Sequence, residues 1–387
     1  MDPSAFTPNA PGQLVKTPEG YLAFVPNPLP PTLNLDAGGL VSELSAADRA
    51  LGQLAGVGQT LPNPHLLIGP FMKREAVLSS RIEGTQASLS DLFLFEAASS
   101  AKPKAPDVQE IANYVQALEY GLQRHEELPL SLRLLREMHE HLMKEVRGEN
   151  KTPGEFRRSP NWIGPPGCSL NEATFVPPPV PQMHEALHHF ENYLHAQSNL
   201  PPLVRLAMIH YQFEAIHPFL DGNGRIGRIL ITLLLCIEKL LPQPLLYLSA
   251  YFEKHRESYY RHLLSVSHAG RWNAWISFFL RGISTQAADA VARSNRLLAL
   301  REEFNRKCYA KQASGLLLKL VDCLLALPVI TVSRASELLE VTPSTAKANI
   351  DKLIEAGILR EITGHKRNRV YVAEQIIQTI EEPETRN

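Results

Sequence analysis

The stretch His217-Pro-Phe-Leu-Asp221-Gly-Asn-Gly-Arg225-Ile-Gly-Arg228 decides how the rest of the chain is interpreted. It follows an amphipathic segment, LVRLAMIHYQFEAI, and opens an apolar one, RILITLLLCIEKLL, so it predicts a turn between two helices. Its glycines let the backbone approach a bound group closely, and a helix N-terminus offers N–H groups to an anion. The stretch therefore predicts a phosphate cradle at the start of a helix.

Four side chains of this stretch have the chemistry that phosphate transfer needs. Arg225 and Arg228 lie three residues apart and would project from one side of the new helix over a common anion. Asp221 is a hard oxygen ligand suited to phosphate-bound Mg²⁺, and His217 titrates near neutrality, as a general base must. Together they predict phosphoryl or nucleotidyl transfer. A glycine turn alone would predict only a joint between two helices.

The composition is typical of a globular protein. The chain has 387 residues, with 39 Lys and Arg against 40 Asp and Glu, a formal charge of −1. That balance excludes a strongly basic nucleic-acid binder and an acidic solvating tail as its main character. The four cysteines form no CxxC pair, the N-terminus lacks an apolar signal segment, and the longest apolar run, 229–237, is too short to cross a bilayer. We therefore expect a cytoplasmic protein without a membrane partner.

Prolines divide the chain into regions of different kinds. Eight of the 30 prolines fall within the first 31 residues and seven lie between Pro160 and Pro181. Helical periods are predicted over 71–83, 88–99, 107–123, 131–146, 182–197, 203–216, 225–240, 252–268 and 272–307. We predict a mainly α protein with a proline-rich N-terminal arm over 1–45, an N-terminal helical region over 46–125, a catalytic core over 126–305 and a C-terminal module over 306–387.

The C-terminal module has a pattern of its own. A helix leads to Ile330-Thr-Val, Ser333 caps a short helix, a second helix follows, and two short strands flank the basic turn GHKR. This order resembles a winged helix-turn-helix domain. Residues 331–374 carry seven Lys or Arg against six acidic residues, which is a weak basic footprint. DNA binding therefore stays open beside a protein-docking or structural role.

The stretch from His217 to Arg228 matches the Fic family signature, HxFx(D/E)GNGRxxR, at every specified position. The resemblance extends over most of the chain, through a helical N-terminal region, a Fic core and an appended winged module. It implies a mainly α fold in which the Fic core carries a small β-hairpin flap. It also implies a protein adenylyltransferase, which moves AMP from ATP to a Ser, Thr or Tyr hydroxyl of a target with Mg²⁺ as cofactor.

The resemblance assigns a role to each position of the motif. His217 would be the catalytic base and Asp221 the metal ligand, while the Gly222–Gly224 amides and the Asn223 side chain would hold the α-phosphate. Arg225 and Arg228 would hold the β- and γ-phosphates. Tyr251 is a candidate for stacking on adenine, although a core tyrosine fits its position equally well. The nucleotide-binding set is Gly222, Asn223, Gly224, Arg225, Ile226, Gly227, Arg228, Tyr251 and Glu83.

A second motif lies upstream, in Ser79-Ser-Arg-Ile-Glu83-Gly84. It looks like the family's inhibitory motif, (S/T)xxxE(G/N), with Ser79, Glu83 and Gly84 at the specified positions. The resemblance implies that Glu83 pairs with Arg228 and occupies the space of the ATP γ-phosphate. A glutamate in a last helical turn opposes the helix dipole, which is consistent with a partner elsewhere. The plainer interpretation is a solvated glutamate beside a glycine that ends the helix.

The proline-rich segment 153–181 corresponds to the family's flap, along which an extended target would add as a strand. We expect the target to contact Asn171, Glu172, Ala173, Thr174, Phe175 and Val176. An ordinary surface loop is the alternative interpretation of this segment.

His184-Glu185-Ala-Leu-His188 satisfies the HExxH pattern of zinc proteases. Glu191 and Leu194 stand where the longer protease pattern requires glycine and a third histidine. Because Met183, Leu187, Phe190 and Leu194 form the apolar stripe of this helix, we expect the two histidines on its polar border, away from any metal.

The expected partners are ATP and a protein target, with the chain itself among the candidates, and a homodimer stays open. Two other functions also stay open. One is a transcriptional regulator that uses the Fic core as a nucleotide sensor. The other is removal of AMP from a modified target at the same site, with Glu83 positioning a water molecule.

Overall fold

The computed structural model describes residues 1–35, 39–60, 65–97, 106–146, 148, 150–165, 167–309, 314–364 and 367–382. In this part the chain is mainly helical and has two small antiparallel sheets. The helices are α1 Leu40–Thr60, α2 His65–Ile82, α3 Leu89–Ala97, α4 Pro106–Arg124, α5 Leu132–Leu142, α6 Val180–His195, α7 Pro202–Ile216, α8 Asn223–Ile237, α9 Ser249–Lys254, α10 Arg256–Ala269, α11 Trp272–Tyr309, α12 Gly315–Ala326, α13 Val332–Leu339, α14 Pro343–Glu355 and α15 Glu374–Glu381. The strands are β1 Gly12–Lys16, β2 Leu22–Pro26, β3 Val329–Thr331, β4 Arg360–Glu361 and β5 Val370–Val372.

The chain divides into two compact units that cut across the four predicted segments. Unit 1 consists of Met1–Leu51, Asn113–Leu240 and Leu248–Thr285, and unit 2 consists of Gly52–Ala112, Leu241–Tyr247 and Gln286–Asn387. Each unit is therefore assembled from parts of the chain that lie far apart in sequence. The predicted boundaries at 45, 125 and 305 remain predictions.

The centre of unit 1 is the pair α7 and α8, joined by the motif loop. Leu206, Ile209 and Phe213 of α7 are fully buried, as are Ile226 and Leu230 of α8. Helices this apolar on several faces must be enclosed by other elements, and α5, α6 and α10 pack against them. The motif loop is thus held at the end of a rigid helical pair.

The predicted N-terminal arm contains a hairpin. Strands β1 and β2 pair antiparallel, with Leu14 opposite Phe24. Ala23 and Phe24 are fully buried, and the Gln212 side chain of α7 donates to the carbonyl of Asn27 at 3.1 Å. Burial of these apolar residues in unit 1 holds the proline-rich segment in a defined place.

Unit 2 combines α2, which carries Ser79, with the C-terminal elements. Helices α12 and α15 pack against α2, and the C-terminal strands form an antiparallel sheet in the order β3-β5-β4. The buried Arg293 of α11 binds both carboxylate oxygens of Asp289 and donates to three carbonyls at the end of α15. Thr331, not Ser333, is the N-cap of α13, because its hydroxyl accepts from the Arg334 amide.

Among the described residues of the flap, the predicted small β-hairpin is reduced to one bridge. Ile163 and Phe175 exchange both backbone hydrogen bonds, at 2.9 and 3.0 Å, and Leu170–Glu172 forms a turn of 3₁₀ helix between them. The many prolines of the segment lack the N–H that a longer ladder needs. The rest of the flap must therefore be held by contacts with other segments.

In the described part of the chain, no helix combines the length and the apolar character needed to cross a membrane.

Candidate active site

His217 stands at the junction between α7 and the motif loop. Its backbone is left-handed, with φ 50° and ψ 61°, and its N–H donates to the carbonyl of Phe213 at 3.0 Å. The ring atom Nδ1 lies 3.2 Å from the carbonyl of Glu214. A carbonyl can only accept, so Nδ1 carries the proton and the lone pair lies on Nε2. The ring is therefore oriented as a base whose acting atom is Nε2.

The Asn223 side chain braces the loop from inside. Its Oδ1 accepts from the Phe219 N–H and its Nδ2 donates to the Phe219 carbonyl, both at 2.8 Å. Gly222 has φ 77°, and the Asp221 side chain accepts from the Gly222 N–H at 2.7 Å. The resemblance gives the Asn223 side chain to the α-phosphate, whereas here it shapes the turn. The anion-binding potential lies in the N–H groups of the first turn of α8.

The two motif arginines are buried beside this turn. Arg225 is 4% exposed and Arg228 is 2% exposed. Arg225 forms an ion pair with Asp221 at 3.4 Å and also contacts Sδ of Met143 at 3.6 Å. The Asp221 side chain keeps 36% of its surface open. The structure thus brings together the arginines, the helix N-terminus and the carboxylate that the sequence predicted.

Gly227 allows a close approach between α7 and α8. A Cβ at this position would lie 2.3 Å from Oε1 of Glu214. Ile226, the other non-arginine residue of this turn, is fully buried in the core. These two nucleotide-binding candidates therefore have packing roles in the structure.

Two histidines that the sequence did not single out support the loop. His139 of α5 stacks on Phe219, accepts the Gly154 N–H at Nδ1, and directs Nε2 to the Asp221 carbonyl at 3.0 Å. Burial lowers the pKa of His139 to about 4, so the ring is neutral. His139 and the second histidine, His210 of α7, both lie on apolar helix faces, where the sequence alone predicts core residues.

His210 of α7 supports the other end of the loop. It donates from Nδ1 to the Gly227 carbonyl at 3.1 Å and accepts at Nε2 from the Tyr259 hydroxyl at 2.8 Å. Burial lowers the pKa of His210 to about 3. This ring is therefore a neutral strut between the two central helices.

Two residues of the flap base also bind the loop. Arg157 is 1% exposed and donates to the carbonyls of His217, Ser159 and Pro178. Burial lowers the pKa of its guanidinium to about 10. Asn161 donates to the carbonyls of His217 at 3.2 Å and Phe219 at 2.7 Å. The flap is thereby fixed to the backbone of the predicted base.

The predicted docking residues fall into two groups. Ala173, Phe175 and Val176 are buried, and both backbone groups of Phe175 are used by Ile163. An incoming strand therefore cannot pair with Phe175 without displacing Ile163. The exposed members are Asn171, Glu172 and Thr174, which line an open cleft of about 460 Å³ together with Ala173, Met1, Asp2, Ala5 and His268.

Tyr251 is half-buried at the start of α9. Its ring lies 4.6 Å from that of His255 and 5.0 Å from that of Phe278, and it packs on Gly282. These contacts are those of a tyrosine at the edge of the core. Its predicted adenine contact stays a prediction.

The second motif lies in unit 2, whereas the His217 loop lies in unit 1. Helix α2 ends at Ile82 and Gly84 has φ 99°, as expected for the glycine that follows a helix. Ser79 is fully buried, and Glu83 is exposed. Gly84 therefore has the backbone predicted for it, whereas Glu83 lies one residue beyond the end of the helix and not in its last turn.

His184 and His188 lie on the exposed face of α6, as predicted, and the four apolar residues of the stripe are buried. Among the described residues, no group of three or more His, Cys, Asp or Glu could hold a metal ion.

Known proteins share the sequence of this region and its fold. Residues 41–123 match the model of the Fic/DOC family N-terminal region, and residues 129–235 match that of the Fic/DOC family. Two relatives named Protein adenylyltransferase Fic, from Drosophila virilis and Drosophila grimshawi, are 28% and 30% identical over 155 residues, which are 40% of this chain and 28% of each relative. The match thus spans less than a third of their length.

A crystal structure of a Fic family protein from Desulfovibrio desulfuricans has a similar fold. It superposes with a TM-score of 0.57 at 18% identity, over 89% of this chain and 98% of that one. The chain thus contains the N-terminal region and the Fic domain of the Fic/DOC family, and the motif loop lies within the second of these.

Proposed function

We propose that this chain transfers AMP from ATP to a hydroxyl side chain of a protein target. The observation that carries the proposal is the loop at the start of α8, where an oriented histidine and two buried arginines adjoin a helix N-terminus. The names of the Drosophila relatives, which are protein adenylyltransferases, agree with it.

His217 would act on the attacking hydroxyl. The hydroxyl oxygen attacks the α-phosphorus of ATP, the bond from that phosphorus to its bridging oxygen breaks, and pyrophosphate leaves. The hydroxyl proton passes to Nε2 of His217, since Nδ1 already donates its proton to the Glu214 carbonyl. Arg157 and Asn161 donate hydrogen bonds to the carbonyl of His217. These bonds fix the backbone from which the imidazole ring projects.

The phosphates would be bound by the first turn of α8. The N–H groups of this turn and the positive end of the helix dipole favour an anion. Arg225 and Arg228 are almost completely buried, so their charges act at low dielectric and are strengthened there. Developing charge on pyrophosphate is thus met by donors that need little reorganisation.

Asp221 fits Mg²⁺ that arrives with ATP. Its carboxylate is partly open, and Mg²⁺ commonly takes one or two carboxylates together with substrate phosphates. Bound Mg²⁺ would supply charge neutralisation at the phosphates.

Glu83 would restrain this activity. The support is the match of Ser79, Glu83 and Gly84 to the inhibitory motif. Removal of its carboxylate should therefore raise AMP transfer.

The experiment is AMP transfer from α-labelled ATP into protein by four forms of the chain. Glu83→Gly should incorporate more label than the unmodified chain. Glu83→Gly combined with His217→Ala should incorporate label at least about 100-fold more slowly than Glu83→Gly alone, because no base then removes the hydroxyl proton. Glu83→Gly combined with His188→Ala, an exposed histidine, should retain it.

Incorporation that survives His217→Ala would contradict the catalytic assignment. Equal incorporation by the unmodified chain and Glu83→Gly would contradict only the inhibitory one. If none of the four forms labels any protein, and the unmodified chain changes the transcription of a reporter gene, the nucleotide-sensor alternative would be favoured.

The C-terminal elements support a winged helix-turn-helix arrangement with a structural role. Helices α12, α13 and α14 precede the hairpin of β4 and β5, and β3 pairs with β5. Arg334, Lys347 and Arg360 form ion pairs with neighbouring acids, which reduces the charge open to DNA phosphates. His365 and Lys366, the centre of the predicted basic wing, lie outside the described residues. Salt-dependent retardation of duplex DNA by the chain would contradict the structural role.

A further inference from the structure

The hairpin of β1 and β2 is hydrogen-bonded to the flap. The Phe24 N–H of β2 donates to the carbonyl of Val176 at 2.9 Å. The preceding residue, Phe175, is bridged to Ile163 on its other side. The stretch Phe175–Val176 therefore lies between strand β2 of the N-terminal segment and the bridge residue Ile163 of the flap.

Side chains reinforce this junction. Ala23, Ala173 and Val176 form a buried cluster, against which Tyr21 and Leu170 pack. The rings of Phe24 and Phe175 are 5.8 Å apart between centroids, and both are buried. The described part of the flap has one bridge of its own, and the hairpin adds buried apolar contact to it.

The hairpin itself is tied to the helices of unit 1. The Thr7 N–H donates to the carbonyl of His268 at the end of α10, at 2.8 Å, and Gln212 of α7 donates to the Asn27 carbonyl. Phe6 bridges the two parts, because its ring contacts both Phe24 and His268. The hairpin therefore connects the flap to the helices α7 and α10 and restricts its movement relative to them.

The opposite end of the flap is tied to the motif loop. Arg157 joins the carbonyls of His217 and Pro178, two residues beyond Val176. A change in the placement of Phe175–Val176 would thus alter the position of the flap relative to the His217 loop.

We propose that Phe24 is a positioning residue for the protein acceptor, holding the flap through Phe175 and Val176 at a fixed place beside the His217 loop. This inference rests on the proposed AMP transfer. It predicts that loss of the Phe24 ring impairs transfer to protein more than it impairs use of ATP, because the groups proposed to bind the phosphates lie at the start of α8 and not in the flap.

The test uses the full chain with Glu83→Gly as the parent form. Two activities are measured with α-labelled ATP: label incorporated into the proteins of a bacterial lysate, and hydrolysis of ATP to AMP and pyrophosphate with water as the acceptor. Phe24→Ala should lower the ratio of incorporation to hydrolysis about 10-fold, since misplaced acceptors cost this order of rate. Phe24→Leu should restore most of the ratio.

Hydrogen exchange provides a readout that does not depend on the reaction. The amides of Ile163 and Phe175 should exchange about 10-fold faster in Phe24→Ala than in the parent, while those of α8 keep their rates. Ala23→Gly, a milder change in the same cluster, should shift both readouts in the same direction if Phe24→Ala does not fold. Gln13→Ala, an exposed residue of β1 that lies opposite Val25 and not Phe24, is the matched control within the hairpin and should change the ratio by less than about twofold.

Equal loss of incorporation and hydrolysis, or unchanged exchange at Ile163 and Phe175, would overturn the positioning role. Failure of the parent form to label any protein would instead overturn the proposed function, and the exchange result would still decide whether the hairpin holds the flap.

Discussion

The motif loop and the flap are neighbours in unit 1, yet they differ in how much of their support comes from their own residues. The loop is braced from within by bonds between residues four or fewer apart, as in the pairing of Asn223 with Phe219 and of Asp221 with Gly222, and His139 and Arg157 add contacts from outside it. The described part of the flap has one bridge, and its other anchors come from far along the chain. Asn161 reaches Phe219 over 58 residues, and the Phe24 amide of the N-terminal hairpin binds Val176.

This difference explains which of the two can be recognised in a sequence. A turn whose bonds close within twelve residues leaves its full signature in those residues. A segment whose shape depends on distant partners carries only part of its own information. The loop should therefore be less sensitive than the flap to changes elsewhere in the chain.

The largest effect is expected when the internal brace of the loop is removed. Asn223→Ala deprives the Phe219 N–H of its acceptor and the Phe219 carbonyl of one donor in a buried site. We expect a loss of about 3 kcal/mol in the free energy of unfolding and a loss of AMP transfer of about 100-fold or more. Urea unfolding and label incorporation measure the two losses.

Asn161→Ala is the matched change on the flap side. Its two acceptors each keep another donor, because Arg157 serves the His217 carbonyl and Asn223 serves that of Phe219. We expect a loss of about 1 kcal/mol in the free energy of unfolding, and a smaller loss of AMP transfer than in Asn223→Ala. If Asn161→Ala were as damaging as Asn223→Ala, the loop would depend on the flap and the contrast between them would be wrong.

The same contrast separates what the sequence predicted from what it did not. Helix α2 with Gly84 behind it, and the buried stripe of α6, were predictable because apolar spacing and turn chemistry are local signals. The contact between Phe24 and Val176 was not, because it joins a five-residue strand to a proline-rich segment some 150 positions away. Three of the six expected docking residues proved buried for that reason.

Within the site as well, single residues that depend on distant partners could not be predicted from the sequence. The positions of His217, Asp221 and the two arginines followed from one motif. His210 could not be identified, because a histidine within an apolar helix has no sequence signal that distinguishes a strut from an ordinary core residue. Only the placement of Gly227 and Tyr259 around its ring reveals its role.

The second expected effect is a dependence of stability on pH to which the buried His210 contributes. The pKa of His210 is lowered to about 3 by burial, so at pH values below its ordinary pKa of 6.5 the unfolded chain binds a proton that the folded chain does not. The free energy of unfolding should therefore fall as the pH drops below about 6.5, by about 1.4 kcal/mol per pH unit from this residue. Arg157, whose pKa is about 10, stays charged throughout this range and adds no such slope.

His210→Asn tests this directly, since the asparagine amide can still donate to the Gly227 carbonyl. Urea unfolding at pH 7, 6 and 5 should show a shallower decline for His210→Asn than for the unmodified chain, and an unchanged decline for the exposed His188→Asn. A decline of the same slope in all three forms would show that His210 is not the group responsible.

The smallest effect compares one glycine of each region. Gly222 and Gly167 have nearly the same φ, 77° and 79°, so alanine is forced into a left-handed φ at both. A Cβ at Gly222 would also lie 3.0 Å from Sδ of Met143 and 3.4 Å from the His139 ring, whereas nothing lies within 4 Å at Gly167. Gly222→Ala should therefore lower the free energy of unfolding by about 2 kcal/mol, and Gly167→Ala by about 1 kcal/mol or less. Because both variants carry the left-handed φ, the difference in their urea unfolding reports on the packing around the loop. Equal losses would mean that Met143 and His139 yield to a methyl group, and that the loop is held by its own hydrogen bonds more than by the residues packed around it.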